Sequence, residues 1–174
     1  MATISPSAAR PLEGGFRIRP IGPADDAAIA AIVRACLSAH GLAIPGTAYF
    51  DPELDHLSAY YDERPGERSY FILECPDGSV GGGAGIAEFP GVDGCCELQK
   101  IYLIDGLQGE GLGRTLLETV EARARELGYR RIYLETHHSL ATAVGFYGHL
   151  GYRRIEQPVP TAHTTMDRFL IKEL

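Results

Sequence analysis

The chain has 174 residues, 45% of them hydrophobic, which is enough for one domain with its own core. Its formal net charge of −7 argues against a nucleic-acid partner, because phosphate binding requires a basic surface. A small anionic cofactor needs only a local site and stays possible, while the long-range field favours cationic or neutral substrates. The sequence contains no apolar run long enough to cross a bilayer.

Cysteine usage indicates a reducing environment. The four cysteines have neither zinc-finger nor CxxC spacing. The adjacent Cys95 and Cys96 would point to opposite faces of a strand, so a disulfide between them is unfavourable. We therefore expect reduced thiols and a cytoplasmic protein.

The N-terminal segment differs in composition from the rest of the chain. Residues 1–15 are rich in Pro, Ser, Ala and Gly and lack the apolar segment of a signal peptide. We predict a flexible tail over 1–15 and a single domain over 16–174, with no internal repeat and no linker.

The sequence of the first part of the domain predicts one strand and two helices. The alternating sequence "FRIRPI" predicts a strand over 16–21, and apolar residues at helical spacing predict a helix over 23–42. Asp51 as a cap and Pro52 as the first helical residue predict the start of a second helix that ends before Pro65.

The sequence of the rest of the domain predicts several strands and two helices. The turn signal "PDGS" joins two strands, and glycines 81–83 indicate a bulge in the second of them. A strand over 95–104 precedes a helix with one apolar stripe, with Glu121 facing solvent. A strand, a short helix capped by Ser139 and two final strands follow, so the predicted fold class is α/β.

A glycine-rich segment, "LQGEGLGRTLL", stands between that strand and helix. A dinucleotide fingerprint would need Gly where Arg114 stands, and a phosphate-binding Walker A loop would need Gly-Lys-Ser/Thr at 114–116. Exposed amides at a helix N-terminus bind anions, and glycines allow a phosphate to approach the backbone. The alternative is a tight turn that serves only close packing of helix and sheet.

This segment resembles the Q/R-x-x-G-x-G signature of the GNAT N-acetyltransferases, through Gln108, Gly111 and Gly113. The preceding "CELQKIYLI" resembles the central strand of that family. The resemblance covers about 16–174, and it is most specific over 95–152.

A second segment, "LETHHSLATAVGFYGHLGY", strengthens the resemblance to the GNAT family. It is similar to the family's A-x-x-x-Y-x-x-x-G-F/Y pattern, carried here by Ala143, Tyr147, Gly151 and Tyr152. The resemblance implies a single mixed, splayed sheet of about seven strands flanked by about four helices. Acetyl-CoA would enter between the two central parallel strands.

The resemblance also implies how acetyl-CoA is held. The pyrophosphate would lie on the amides of 109–114, and the pantetheine would pair with the backbone of 101–103 like an added strand. Many members have Asn where Leu140 stands, so Ser139 or Thr142 would have to replace that contact. The implied cofactor-binding residues are Ile101, Tyr102, Leu103, Gln108, Gly109, Glu110, Gly111, Leu112, Gly113, Arg114, Ser139, Thr142 and Tyr147.

Two residues are the candidates for proton transfer. Tyr147 occupies the place of the family's tyrosine general acid, although its helical spacing also suits a residue at the edge of the core. Glu97 lies eleven residues before Gln108, like the catalytic glutamate of the histone-acetylating branch. Its alternatives are solvent exposure or pairing with Lys100 or Arg131.

Other residues are alternative candidates for the general base, and a covalent mechanism has little support from the sequence. Glu135 lies at the end of the next strand, "YRRIYLET", and His137 and His138 follow it directly; a histidine pKa suits a base at neutral pH. Cys95 or Cys96 would have to carry an acetyl group in a covalent mechanism, but nothing near them in sequence suggests activation. We expect direct transfer in a ternary complex and no metal site.

The acceptor pocket in this family is built by the first two helices and the loop between the last strands. Aromatic and acidic residues there suit an amine-bearing small molecule or amino-acid-like substrate. Dimers are common in the family, so a homodimer is a further expectation. Two alternatives are a protein or peptide acetyltransferase and a non-catalytic CoA-binding sensor. The candidate substrate-binding residues are Tyr49, Phe50, Asp55, His56, Tyr60, His137 and His163.

Overall fold

The structure is a computed structural model that describes residues 9–174. One mixed sheet has the strand order β1-β2-β3-β4-β5-β6-β8-β7. Its strands are β1 (Arg10–Pro11), β2 (Arg17–Pro20), β3 (Ser69–Glu74), β4 (Val80–Glu88), β5 (Cys95–Leu103), β6 (Arg131–Thr136), β7 (Arg153–Ile155) and β8 (Arg168–Glu173). The helices are α1 (Asp26–Ala39), α2 (Leu57–Asp62), α3 (Leu112–Glu126) and α4 (Ala141–His149). The predicted mixed α/β sheet is confirmed, with eight strands instead of about seven.

The sheet splays between β5 and β6, its only parallel neighbours among the described strands. They pair from Cys95 and Arg131 as far as Glu97 and Tyr133. Beyond these residues β5 stays with β4 up to Leu103, whereas β6 stays with β8. The two central strands therefore diverge, which confirms the expected V-shaped opening.

A bulge distorts both strands on one side of this opening. The register of β4 with β5 shifts between Gly83 and Gly85, which confirms the bulge that the glycine run indicates. A Cβ on Gly83 would lie 2.8 Å from the Tyr70 hydroxyl, so the ring packs where a side chain would otherwise stand. Opposite, Lys100 has φ of 50° and its carbonyl accepts a hydrogen bond of 2.8 Å from that hydroxyl.

Helices cover the sheet with two separate clusters of apolar side chains. Ile29 and Val33 of α1 pack with Leu57 of α2 in one cluster, while α3 and α4 contribute to the other. Cys96 belongs to the cluster beneath α3 and α4, whereas Cys95 lies in a third, smaller cluster with Phe89 and Tyr133, as expected for neighbours on a strand; all four cysteines are free thiols. Within residues 9–174, no helix combines the length and the apolar composition that a bilayer crossing requires.

The predicted tail is only partly within the described residues. Residues 1–8 lie outside them. Arg10–Pro11 pairs with Arg17 and Ile18 of β2, which supplies the extra strand, and Glu13–Gly15 forms a 3-10 turn. Regular structure therefore begins before residue 16.

Two predicted helix starts are wrong. The second helix begins at Leu57, after 3-10 turns at Ala48–Phe50 and Leu54–His56, because the carboxylate of Asp51 pairs with distant residues. Ser139 does not cap α4, since its hydroxyl lies 2.8 Å from Nδ1 of His137.

The solvent-facing position predicted for Glu121 is also wrong. Glu121 is 4% exposed, and both of its oxygens lie 2.8 Å from Nζ of Lys172 on β8. The Tyr152 hydroxyl donates a further hydrogen bond of 3.0 Å to Oε1. A cation from the sheet thus allows a carboxylate to lie on the buried side of α3.

Replacing Lys172→Met should remove the closer cation of the buried Glu121 carboxylate and leave only Arg125, whose guanidinium lies 3.8 Å away. We expect the free energy of unfolding to fall by about 2 kcal/mol, since removing one partner of a buried ion pair is costly. Urea denaturation measures the change. The double variant Glu121→Gln with Lys172→Met should recover most of the loss, and a single variant as stable as the parent would contradict this explanation.

Candidate active site

A cavity of about 60 Å³ lies at the opening between β5 and β6. Elements from distant parts of the chain form its wall: α1, the segment before α2, the two central strands, and the loop between β7 and β8. Its lining residues are Leu37, Ala48, Glu97, Leu98, Gln99, Lys100, Tyr102, Glu135, Thr136, Leu140, His163 and Met166. Half of these side chains are polar or charged, so the cavity combines an apolar wall with a group of titratable residues.

Glu97 lies on β5 at the point where the central strands separate. Its Oε2 accepts a hydrogen bond of 2.8 Å from the Gln99 amide, and Oε1 of Gln99 accepts one of 2.9 Å from the Tyr61 hydroxyl. Burial raises the pKa of Glu97, and the nearby Glu135 raises it further, although the Gln99 hydrogen bond acts in the opposite direction. A carboxylate with a raised pKa is a stronger base than an exposed one.

Glu135 is held more tightly than Glu97. Its side chain is 1% exposed, and its oxygens accept hydrogen bonds from the hydroxyls of Tyr133 at 3.0 Å and Thr161 at 2.9 Å. Nδ1 of His163 lies 4.0 Å from Oε2 of Glu135. Two carboxylates and one imidazole therefore share a small space.

An ion cluster closes the same cavity from the side of the α2 segment. Nζ of Lys100 lies 2.7 Å from Oδ2 of Asp51 and 2.9 Å from Oε1 of Glu53, and the Lys100 side chain is 2% exposed. Burial lowers the pKa of Lys100, but the two carboxylates outweigh it and the net shift is upward. The lysine therefore stays charged.

His163 joins this cluster from the loop between β7 and β8. Its Nε2 lies 2.9 Å from Oδ1 of Asp51. Burial lowers the pKa of His163, whereas the bond to Asp51 raises it more, so the net pKa is above the ordinary value. The same two loops also meet where the Thr165 amide donates to the Gly46 carbonyl at 3.1 Å.

The glycine-rich segment enters α3 through two left-handed residues. Gly109 has φ of 87°, and Gly111, which precedes the helix, has φ of 80°. A Cβ on either glycine would meet nothing within 4 Å, so the backbone conformation, not crowding, requires glycine. Gly113 differs, because its Cβ would lie 3.1 Å from Cδ1 of Leu103. Close packing of helix on sheet explains this third glycine.

The N-terminus of α3 presents unpaired amides. The first α-helical hydrogen bond runs from the Thr115 amide to the Gly111 carbonyl at 3.1 Å. Among the described residues, the amides from Gly111 to Arg114 donate no backbone hydrogen bond, and no side chain caps the helix. Such an end attracts anions through its amides and the helix dipole.

The edge of β5 that faces β6 is open beyond the splay. β6 pairs with β5 only as far as Glu97, so the backbone from Leu98 to Leu103 has no strand partner on that side within residues 9–174. An extended ligand could hydrogen-bond to this edge as an added strand would.

Comparison with known proteins agrees with this geometry. The acetyltransferase (GNAT) family matches residues 40–152. The N-acetyltransferase YjgM of Escherichia coli K12 is 37% identical over 153 residues, which cover 86% of this chain and 90% of that protein. The chain belongs to the GNAT acetyltransferase family.

Solved GNAT structures share the fold. A GNAT-family acetyltransferase from Staphylococcus aureus Mu50 aligns with a TM-score of 0.80 and 17% identity, covering 91% of this chain and 98% of that one. The yncA protein of Salmonella typhimurium, solved with its cofactor acetyl-CoA, aligns with a TM-score of 0.71 and 25% identity, covering 92% and 94%. The protein is thus an acyltransferase of the GNAT family, and its cofactor is acetyl-CoA.

The two predicted proton-transfer residues have different surroundings. Glu97 lines the cavity, and it pairs with neither Lys100 nor Arg131, which bind other carboxylates. Tyr147 is buried in the cluster beneath α3 and α4, with its ring 5.7 Å from that of Tyr152, and it does not line the cavity. Burial raises its pKa above the ordinary value.

Most of the predicted acceptor residues lie outside the cavity. His163 lines it. The Tyr49 and Phe50 rings pack together at 4.9 Å with Phe50 58% exposed, and the Tyr60 ring lies 4.0 Å from the Arg68 guanidinium. His137, which follows β6, does not line the cavity either.

The remaining candidates have other partners or no partner. Asp55 forms an ion pair with Arg34 at 2.7 Å, and His138 lies 2.6 Å from Asp167. Thr142 is exposed in the first turn of α4, whereas Leu140 lines the cavity. Leu140 thus adds to the apolar wall of the cavity.

The cysteines are unsuited to a covalent mechanism. Burial raises the pKa of Cys95 to about 11 and raises that of Cys96 as well. Because the thiolate is the nucleophile, these thiols are inert near neutral pH.

Two groups of side chains have the composition of a metal site. Glu97, Glu135 and His163 bring ligand-type atoms within 4.8 Å of one another, as do His137, His138 and Asp167 in a more exposed position. In both groups hydrogen bonds already hold some of these atoms. The absence of a metal stays a prediction.

Sequence reasoning missed the ion cluster. Lys100 gives one signal, because it stands where the alternation of Glu97, Leu98 and Gln99 would place an apolar residue, and a lysine on the buried face needs a partner. Asp51 and Glu53 give none, since their spacing suits the first turn of a helix and their partner lies about fifty positions further along the chain.

Proposed function

We propose that this protein transfers the acetyl group of acetyl-CoA to the primary amine of a small molecule, by direct attack in a ternary complex. One observation carries the proposal. The partly buried Glu97, with its raised pKa, lines a cavity at the same opening that exposes a free strand edge and a free helix N-terminus. A proton acceptor, Glu97, thus lies at the same opening as the backbone groups that could bind the acyl donor.

The residues present fit the cofactor. The unpaired amides from Gly111 to Arg114 suit the pyrophosphate, and the left-handed Gly109 and Gly111 leave space at their Cα atoms for close approach. The open edge of β5 from Leu98 to Leu103 suits the amide groups of pantetheine. Acetyl-CoA supplies an acetyl group already activated as a thioester.

Glu97 would remove the proton that the amine must lose. An incoming ammonium is attracted by the carboxylates of Glu97 and Glu135, and the raised pKa equips Glu97 to accept a proton. The hydrogen bond from Gln99 fixes the orientation of the carboxylate, and Tyr61 in turn fixes Gln99. His163 stays engaged with Asp51 and is less suited to this task.

Tyr147 would assist departure of the thiolate. Burial raises its pKa, so it remains a neutral phenol at physiological pH. A neutral phenol donates a hydrogen bond to a developing thiolate, and full proton transfer from so weak an acid is unfavourable. Tyr147 is therefore a hydrogen-bond donor in this proposal.

The size of the cavity supports a small acceptor group. A cavity needs about 10–15 Å³ to hold one water, so a cavity of about 60 Å³ has room for an amine with a short body. We further propose a cytoplasmic location, which fits the free thiols. A screen for thiol release from acetyl-CoA with small amines and peptides tests the function. Turnover of peptides alone would instead support the peptide acetyltransferase, and no turnover would support the CoA-binding sensor.

Gly111→Asp should weaken acetyl-CoA binding at least about tenfold more than Gly111→Asn does, because only aspartate adds a negative charge beside the pyrophosphate. The two side chains are similar in size, and both tolerate the left-handed conformation. Calorimetric titration with acetyl-CoA measures the affinities. Equal affinities for the two variants would contradict pyrophosphate binding at this helix end.

Glu97→Gln should lower kcat/KM by about 10²–10⁴-fold, the range typical of a lost general base. A raised pKa means that the reactive carboxylate forms as pH rises, so the parent rate should increase through the pKa of Glu97. The Glu97→Gln variant should lose this rise in rate. It should keep only the rise at higher pH that deprotonation of the amine substrate produces. Glu67→Gln, which changes an exposed residue paired with Arg64, is the matched control. An unaltered pH profile in Glu97→Gln would exclude Glu97 as the base.

A further inference from the structure

The charges around the cavity do not balance. Lys100 is cationic and His163 is cationic when protonated, and each already pairs with a carboxylate of the segment before α2. Lys100 contacts both Asp51 at 2.7 Å and Glu53 at 2.9 Å. Neither cation is therefore free to bind a negatively charged substrate group.

Two further carboxylates lack a close cation. Glu97 accepts a hydrogen bond only from the neutral amide of Gln99, and Glu135 accepts hydrogen bonds from two hydroxyls. The nearest cation is His163, whose Nδ1 is 4.0 Å from Glu135 and whose Nε2 is already bound to Asp51. Four carboxylates thus face two cations, and the cavity has an excess of negative charge.

Apart from the polar side chains of Gln99 and Thr136, the rest of the lining is mainly apolar. The mainly apolar lining residues are Leu37, Ala48, Leu98, Tyr102, Leu140 and Met166. This wall suits the hydrocarbon part of an acceptor.

We propose that the acceptor is a primary amine with an apolar body and no carboxylate, and that the Lys100–Asp51–Glu53 ion cluster excludes amino acids. The proposal rests on the proposed function and narrows its substrate class. A carboxylate next to the reacting amine would enter beside Glu97 and Glu135 and find no free cation. An unpaired charge in a buried site is strongly disfavoured, and like charges reject the wrong partner.

The test compares three forms of one acceptor. The best amine from the thiol-release screen is measured beside the same molecule bearing a carboxylate, or a neutral carboxamide, on the carbon next to nitrogen. For 3-methylbutylamine these forms are L-leucine and L-leucinamide. With kcat/KM calculated on the concentration of unprotonated amine, which corrects for the lower amine pKa of the amide, we expect the value for the amide to exceed that for the acid by more than about tenfold, because the two have similar size and differ in charge. A ratio of ten or less would overturn the proposal.

A variant tests the role of the ion cluster. Glu53→Gln leaves Lys100 with one carboxylate instead of two, so the ratio of amide to acid should fall at least about threefold. Glu67→Gln removes the same charge from an exposed pair and should leave the ratio unchanged. An equal ratio in the parent and Glu53→Gln would overturn the role of the cluster.

Failure of this inference differs from failure of the proposed function. If the protein binds acetyl-CoA and acetylates amino acids as fast as their amides, the proposed substrate class is wrong. The proposed N-acetyltransferase activity is then still supported. Acetyl-CoA binding without turnover of any small amine would remove the proposed function, and the substrate class with it.

Discussion

The early end of the parallel pairing between β5 and β6 is the constraint on which the site depends. The pairing ends at Glu97 and Tyr133. Beyond these residues β5 has an open backbone edge, and the cavity lies between the two strands. Because β5 keeps β4 as a partner on its other side, one of its edges can be left open without loss of the strand. The same divergence brings Glu97 to the mouth of the opening, so cofactor edge and candidate base follow from a single feature of the sheet.

A second constraint is the ion cluster around Lys100. The positive φ of this residue interrupts the regular strand, and its buried ammonium holds the segment before α2 through Asp51 and Glu53. Asp51 also binds His163, so one carboxylate joins three parts of the chain at the acceptor side. A buried cation that needs partners thereby shapes the pocket and leaves it without a free positive charge.

Local sequence patterns predicted the features that depend on neighbouring residues. Glycine spacing indicated the free helix end at Gly111 and the bulge in β4, and the GNAT resemblance supplied the splay between two central parallel strands. The errors lie where tertiary partners override local preference. Asp51 suits a helix cap but pairs with Lys100, and Glu121 fits the exposed side of α3 by periodicity alone but is covered by Lys172. Neither partner is near in sequence, so no local pattern carries this information.

The central claim is that acetyl-CoA lies between the splayed strands, with its pyrophosphate at the start of α3. Backbone amide chemical shifts followed by NMR during titration with acetyl-CoA test it most directly. The account predicts the largest shifts at residues 109–114 and at 98–103, with saturation at a single affinity. Shifts confined to other parts of the protein, or none at saturating acetyl-CoA, would contradict it.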